Sequence, residues 1–299
     1  MGAPRPRSIA LAALAAAALA TALAPGGVLD PGVGPGAGDD ATPTPAATAA
    51  PVPTDATTPV PGVGGVPGVS EAGIVDPVAL AAHHDRTLGA NYTLWMDLYW
   101  RSTADLTDEW HQRDVDVAVA GDRYRLRAEV DPVGDATRRP VLAVYRDDET
   151  RYVAVYDTGG VPDGRRLARG ESSPSLLPEP SSLRSTGLAR LLDTPLTAFS
   201  GPVERDGETF YRVVATGAPR GSLPAPERGP VPSTSVRNYS AVVLFDEAGR
   251  LASVEAWYTV VDRADPVAVR FQVTYDRRGT TTVTRPGWVD AADENATGT

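Results

Sequence analysis

The histidines are the first candidates for chemistry, and the chain has three of them. His83 and His84 adjoin in "ALAAHHDRTLG", and His111 stands in "DEWHQRD". Neighbours on a helix point about 100° apart, so His83 and His84 do not share a face as an i, i+4 metal pair would. His84 shares its face with Leu88 and His83 with Thr87, which describes packed or solvated rings. Asp76 and Asp85 lie close in sequence, but no metal site is expected. The acids Asp147, Asp148 and Glu149 fall on a tight turn in "YRDDETRY", where they are solvated, and "RDDET" lacks calcium-loop spacing. Neither a nucleophile elbow nor a strand-to-helix phosphate loop occurs. Cysteine is absent, which removes thiolate nucleophiles, zinc thiolates, disulfides and a lipidated N-terminal cysteine. No catalytic residue, cofactor or metal is therefore expected, and a hydrolase ranks third among functions with no site to name.

Chemistry of another kind attaches to asparagine. The only three, Asn91 in "NYT", Asn238 in "NYS" and Asn295 in "NAT", all stand in N-glycosylation acceptor patterns. Glycosylation presupposes export, and the N-terminus agrees. "MGAPRPRSIALAALAAAALATALAPGG" places Arg5 and Arg7 before an apolar run from Ile9 to Ala24, the layout of an export signal or an uncleaved anchor over residues 1–24. Residues 25–71 are Pro/Gly/Thr-rich, too poor in apolar surface to offset chain entropy, and read as a disordered stalk. An antiparallel β-rich domain is expected over 72–290, with a disordered tail at 291–299.

Charge narrows the partners. The formal charge is −10, and every cation is arginine, since lysine does not occur. An acidic surface suits high salt and a halophilic source, and argues against nucleic acid, which needs a basic footprint. Arg123, Arg125 and Arg127 form a cationic stripe, read as the wet outer face of a strand.

The elements follow from periodicity. Asp76 is a good N-cap, Pro77 suits the first helical position, and Gly89 can end the helix. "NYTLWMDLYWR" then alternates with period two: Tyr92, Leu94, Met96, Leu98 and Trp100 on one face, Thr93, Trp95, Asp97, Tyr99 and Arg101 on the other. Hairpins are expected at Gly121-Asp122, Asp147–Thr150, Asp206-Gly207, Ala248-Gly249 and Arg277–Gly279, and a second helix over Ser185–Asp193. Short turns in series demand one antiparallel sheet, mainly β (α+β), of about ten strands, curled like a half-barrel with the helices on its concave face. The stretches 158–182 and 217–237 read as long loops of the lid or binding type.

The order helix, "ANYTLWMDLYW", hairpins, long loops and closing "VDRADPVAVRFQVTYDRRGTTTVTRPGWVDAA" resembles uncharacterised haloarchaeal secreted or surface lipoproteins. More distantly, over about residues 72–290, the plan is similar to lipoprotein-carrier half-barrels, in which a curved sheet wraps helices around a lipid-accepting cavity. Those relatives carry a lipidated cysteine that this chain lacks, so lipid anchoring is not implied. The resemblance implies an apolar or lipid ligand and transfers no catalytic residue. Leu94, Met96, Leu98, Trp100 and Trp257 are the expected ligand-binding set, in an apolar cavity between helix 76–88 and the sheet. The alternative is a non-enzymatic structural or adhesion module of the cell envelope with a solid core.

Overall fold

The computed structural model describes residues 65–104, 109–130, 141–156, 162–167, 171, 183–226, 230–262 and 265–297, all within one compact unit. The expected export segment and the stalk up to residue 64 lie outside the described residues. Two strands of two residues, β1 (Val69–Ser70) and β2 (Gly73–Ile74), precede α1 (Pro77–Leu88). Asp76 caps α1 through Oδ1, which accepts the Ala79 N–H at 2.9 Å. Then come β3 (Asn91–Ser102), β4 (His111–Ala120), β5 (Arg123–Val130), β6 (Val141–Asp147), β7 (Thr150–Tyr156) and β8 (Pro162–Arg166). The second half holds α2 (Thr186–Leu192), β9 (Leu196–Arg205), β10 (Glu208–Thr216), β11 (Val236–Asp246), β12 (Leu251–Val260), β13 (Val267–Asp276) and α3 (Gly287–Thr297).

All strands from β3 to β13 join one antiparallel sheet of eleven, in the order β8-β7-β6-β5-β4-β3-β13-β12-β11-β10-β9. The sheet is two meanders, β3 to β8 and β9 to β13, joined along β3 and β13. Its outermost strands are β8 and β9, so it is open, the half-barrel class expected. Laid flat, eleven strands would span about 50 Å, whereas α1 is only about 18 Å long. Helices this small do not cover such a sheet. It curls instead, and its apolar face forms one cluster from Val153 on β7 to Tyr211 on β10, with α1 and α2 inside.

The alternation read from β3 holds: Tyr92, Leu94, Met96, Leu98 and Trp100 are all buried, while Trp95, Asp97, Tyr99 and Arg101 are half-buried on the opposite face. The arginine stripe is on the outside, where Arg123 pairs with Asp147 at 2.8 Å and Arg127 with Glu129 at 3.0 Å.

Four expectations change. The folded body begins before residue 72: Val66 is buried, and β1 and β2 pair within the expected stalk and just beyond it. The tail at 291–299 is not structureless, because α3 runs to Thr297. Trp288, Val289 and Ala292 of this helix pack on Ala143, Tyr145, Tyr152 and Ala154, on the convex side of the sheet. Arg285 fastens it, reaching Asp290 at 2.7 Å and Asp293 at 2.5 Å. The strand expected after Arg277–Gly279 does not form; residues 281–286 are unpaired, and Val283 joins the α3 cluster instead. Within the long loop 158–182, "PDGRR" forms edge strand β8 without any apolar alternation.

Both edges are blunted against further pairing. β8 carries Pro162 and Gly164, and a Cβ on Gly164 would come within 2.9 Å of the Trp288 ring. β9 carries Pro202 and a register shift opposite Arg212/Val213, and Thr197 Oγ1 donates to the Ile74 carbonyl of β2. The N-terminal knot depends on Gly68, whose φ is +82° and whose added Cβ would lie 2.1 Å from the Asp76 carbonyl oxygen. Gly68→Ala is expected to lower stability by about 2 kcal/mol or more. A urea titration would show it as a lower midpoint at unchanged m-value.

Candidate functional site

The concave face is closed by two covers, each tied to the sheet by tyrosine. The first runs from Leu183 through α2 and buries Leu183, Leu188, Leu191 and Leu192. Tyr275 of β13 donates its hydroxyl to the Leu183 carbonyl, and Tyr239 of β11 donates to the Leu191 carbonyl. The second is a flap in which Leu223 and Val231 exchange backbone hydrogen bonds at 2.9 and 2.8 Å. It turns Leu223, Ala225 and Val231 inward, and the Tyr258 hydroxyl of β12 donates to the Pro224 carbonyl. Burial drives the pKa of Tyr239, Tyr258 and Tyr275 upward, so all three stay protonated donors. Each latch is one hydroxyl on one carbonyl, buried at Leu183 and Leu191 and half-buried at Pro224.

The five residues expected to contact a ligand do not share a face. Leu94, Met96, Leu98 and Trp100 are buried on the concave side. Trp257 is half-buried on the convex side, opposite Arg270 of β13 and out of step with its neighbours Ala256 and Tyr258. The expected hollow under α1 is filled: Leu80, His84 and Leu88 are fully buried, and the His84 ring meets Tyr275 edge-on at 4.5 Å. Trp100 sits at the far end of β3 from α1, in the row Tyr258–Val269–Trp100, which is the row the flap latch reaches. His111 stacks on Trp100 at 5.6 Å and the Arg113 guanidinium lies 5.7 Å from its ring.

The adjacent histidines serve as a dock. His83 Nε2 lies 2.7 Å from the Ala248 carbonyl, and His84 Nδ1 accepts the Leu251 N–H at 3.0 Å, so both grip the β11–β12 turn. Among the described residues, no three metal-ligating side chains converge. No helix among them is long and apolar enough to cross a membrane.

Where α1 ends there is a recess of about 330 Å³, walled by residues 87–91, Arg250, Arg278 and Gly279. Asp246 sits behind it and accepts from Arg250 Nε at 2.8 Å and Arg278 Nη1 at 3.1 Å. Arg278 Nη2 donates to the Leu251 carbonyl at 2.9 Å. Asn91 lines this recess, and Thr93 of its "NYT" is buried, its hydroxyl 3.0 Å from that of Thr281. Asn238 is exposed at a bulge in β11 with φ of +55°, a conformation asparagine tolerates. Asn295 is exposed on α3.

An open antiparallel half-barrel closed by a helical cover and a flap is thus the class of structure the chain forms. Solved structures with similarity to it include LprF from Mycobacterium bovis, 13% identical over 71% of this chain and 96% of that one, at a TM-score of 0.38. LppX, a lipoprotein of Mycobacterium tuberculosis, is 12% identical over 70% of this chain and 98% of its own, at 0.35. A putative outer membrane lipoprotein-sorting protein domain from Vibrio parahaemolyticus is 8% identical over 72% and 96%, at 0.26. No family model and no curated protein matches the chain.

Two predictions follow from the latches and the dock. Tyr275→Phe strips a buried carbonyl of its donor and is expected to cost about 1–3 kcal/mol, and Tyr258→Phe, whose Pro224 carbonyl is half-buried, less, both read from denaturant midpoints. His84 is held neutral, its pKa lowered to about 3 by burial and by the positive charges of Arg278, Arg184 and His83. Above pH 6.5 both folded and unfolded states leave it neutral. Below that, the unfolded chain takes a proton that the folded one refuses. Stability should therefore fall by about 1.4 kcal/mol per pH unit from about 6.5 down to about 3. Asp116, raised to about 6 by burial and Asp114, acts in the opposite sense but is common to both proteins compared. Subtracting the pH profile of His84→Gln from that of the natural chain isolates the histidine slope.

Proposed function

We propose that this protein is a non-catalytic binder of an apolar molecule, taken up between the flap and the Trp100 end of the concave face. The observation that carries this reading is the mismatch between a continuous apolar face running from β7 to β10 and a cover made of small, separately latched pieces. Such a cover moves by giving up one hydroxyl bond and the contacts of Leu223, Ala225 and Val231, without unpairing a strand of the main sheet. Leu98, Trp100, Tyr258 and Val269 then line the exposed floor, with Leu94 and Met96 deeper along β3. Trp257 has no part in it.

The setting is the outside of the cell, with residues 1–24 directing export and the Pro/Gly/Thr-rich stretch holding the domain away from the membrane. Asn238 and Asn295, both exposed, are the acceptors best placed for sugar; Asn91 belongs to a pattern whose threonine is buried. The acidic, lysine-free composition supports a salty medium.

A second reading, a structural or adhesion module of the envelope, is favoured by the filled interface beneath α1. A saturated fatty-acid series displacing N-phenyl-1-naphthylamine separates the two. Burial of one methylene is worth about 0.8 kcal/mol, so displacement should strengthen about fourfold per added methylene until the chain fills the site. Native mass spectrometry of the protein from its own host should show a co-purifying apolar mass. No probe uptake, together with no bound mass, selects the structural module.

A further inference from the structure

The recess at the end of α1 is charged against the trend of the whole chain. Arg250 and Arg278 both bond the carboxylate of Asp246 there, and Glu208 is the other acid whose charge reaches Arg278, in a protein whose formal charge is −10. Asp246 is saturated, since its Oδ1 also accepts the backbone N–H groups of Ala248 and Arg250 at 3.0 and 2.9 Å. Arg250 spends only Nε on it; among the described residues neither Nη nitrogen has a hydrogen-bond partner, and Arg250 lines the recess. Asn91 lines the same recess, and its side-chain amide has no hydrogen-bond partner among the described residues. The carbonyl end of α1 would repel an anion, but Arg184 answers it, with Nη2 donating to the Asp85 and Gly89 carbonyls at 3.0 and 3.3 Å.

We infer that this recess binds an oxyanion, a phosphate or carboxylate group, gripped by the open Nη pair of Arg250 with Asn91 as a further donor. A planar guanidinium with two free parallel N–H groups matches two oxygens of such a group at once, which a lysine does not do. Arg278 holds Asp246, which orients Arg250 by bonding its Nε. The site stands apart from the flap and does not rest on the apolar-ligand reading; either can fail alone.

Calorimetric titration of the full chain with inorganic phosphate at low ionic strength tests it, alongside Arg250→Gln, Asn91→Ala and the control Arg212→Gln. Arg212 is half-buried and bonds Ser200 Oγ, and it is not among the residues that wall the recess. Phosphate affinity is expected to drop at least tenfold in Arg250→Gln and at least threefold in Asn91→Ala, and to stay unchanged in Arg212→Gln. Asn91→Ala keeps the test alive should Arg250→Gln fold poorly. A parallel titration with dihexanoyl phosphatidate assigns the source: affinity at least tenfold above inorganic phosphate marks a lipid headgroup, and equal affinity marks a free anion. Equal phosphate binding in all four proteins, or none in the natural chain, overturns the inference.

Discussion

Everything in this fold hangs on the pairing of β3 with β13. Thr93 lies opposite Asp276 and Ser102 opposite Val267, partners more than 160 residues apart in the chain. Each half of the protein is a meander built from local hairpins, and neither half alone closes an apolar face. The seam brings Leu94, Met96, Leu98 and Trp100 beside Val269, Phe271, Val273 and Tyr275, and these eight side chains form the floor on which the covers lie. Loop closure over such a distance is entropically costly, so the seam is expected to form after the local hairpins.

The seam also explains why the covers are where they are. With β3 and β13 central, β8 and β9 become opposite edges, and the chain between them has to travel from one side of the sheet to the other. α2 lies on that path, against the concave face, where Leu188, Leu191 and Leu192 are buried. The cover is thus a crossover connection put to use. Its fastening is sparse because a connection has few apolar residues to offer. The tyrosines make up the difference, each combining a large buried ring with one directed hydroxyl.

Much of this was legible in residue order, and the failures have physical causes. Period-two alternation located β3 and β5, and Asp76, Pro77 and Gly89 bounded α1, because local geometry dictates both signals. β8 escaped because an edge strand of "PDGRR" buries almost nothing and so leaves no pattern. α3 escaped because its three apolar anchors, Trp288, Val289 and Ala292, sit among acids, and its hold on the sheet comes from Arg285. Valine and threonine in "TTTVT" favour a strand intrinsically, yet no partner edge is open there, and pairing rather than propensity decides. Trp257 is like the concave residues in type, but its alternation with Tyr258 points it outward. The recess was out of reach, since Asn91, Arg250 and Arg278 come from three separate elements that only the seam and its flanking hairpins unite.

An eleven-stranded sheet that never meets itself has a mechanical freedom that a closed barrel lacks. In a barrel, strand number and shear fix the diameter, and the lumen has one size. Here the two rims, β8 and β9, are not paired with each other among the described residues, so no closure condition fixes the curvature. Unrolling by a few degrees per strand widens the trough without breaking a single rung of the ladder. An open trough of this sort is free of the closure condition that gives a barrel its single width.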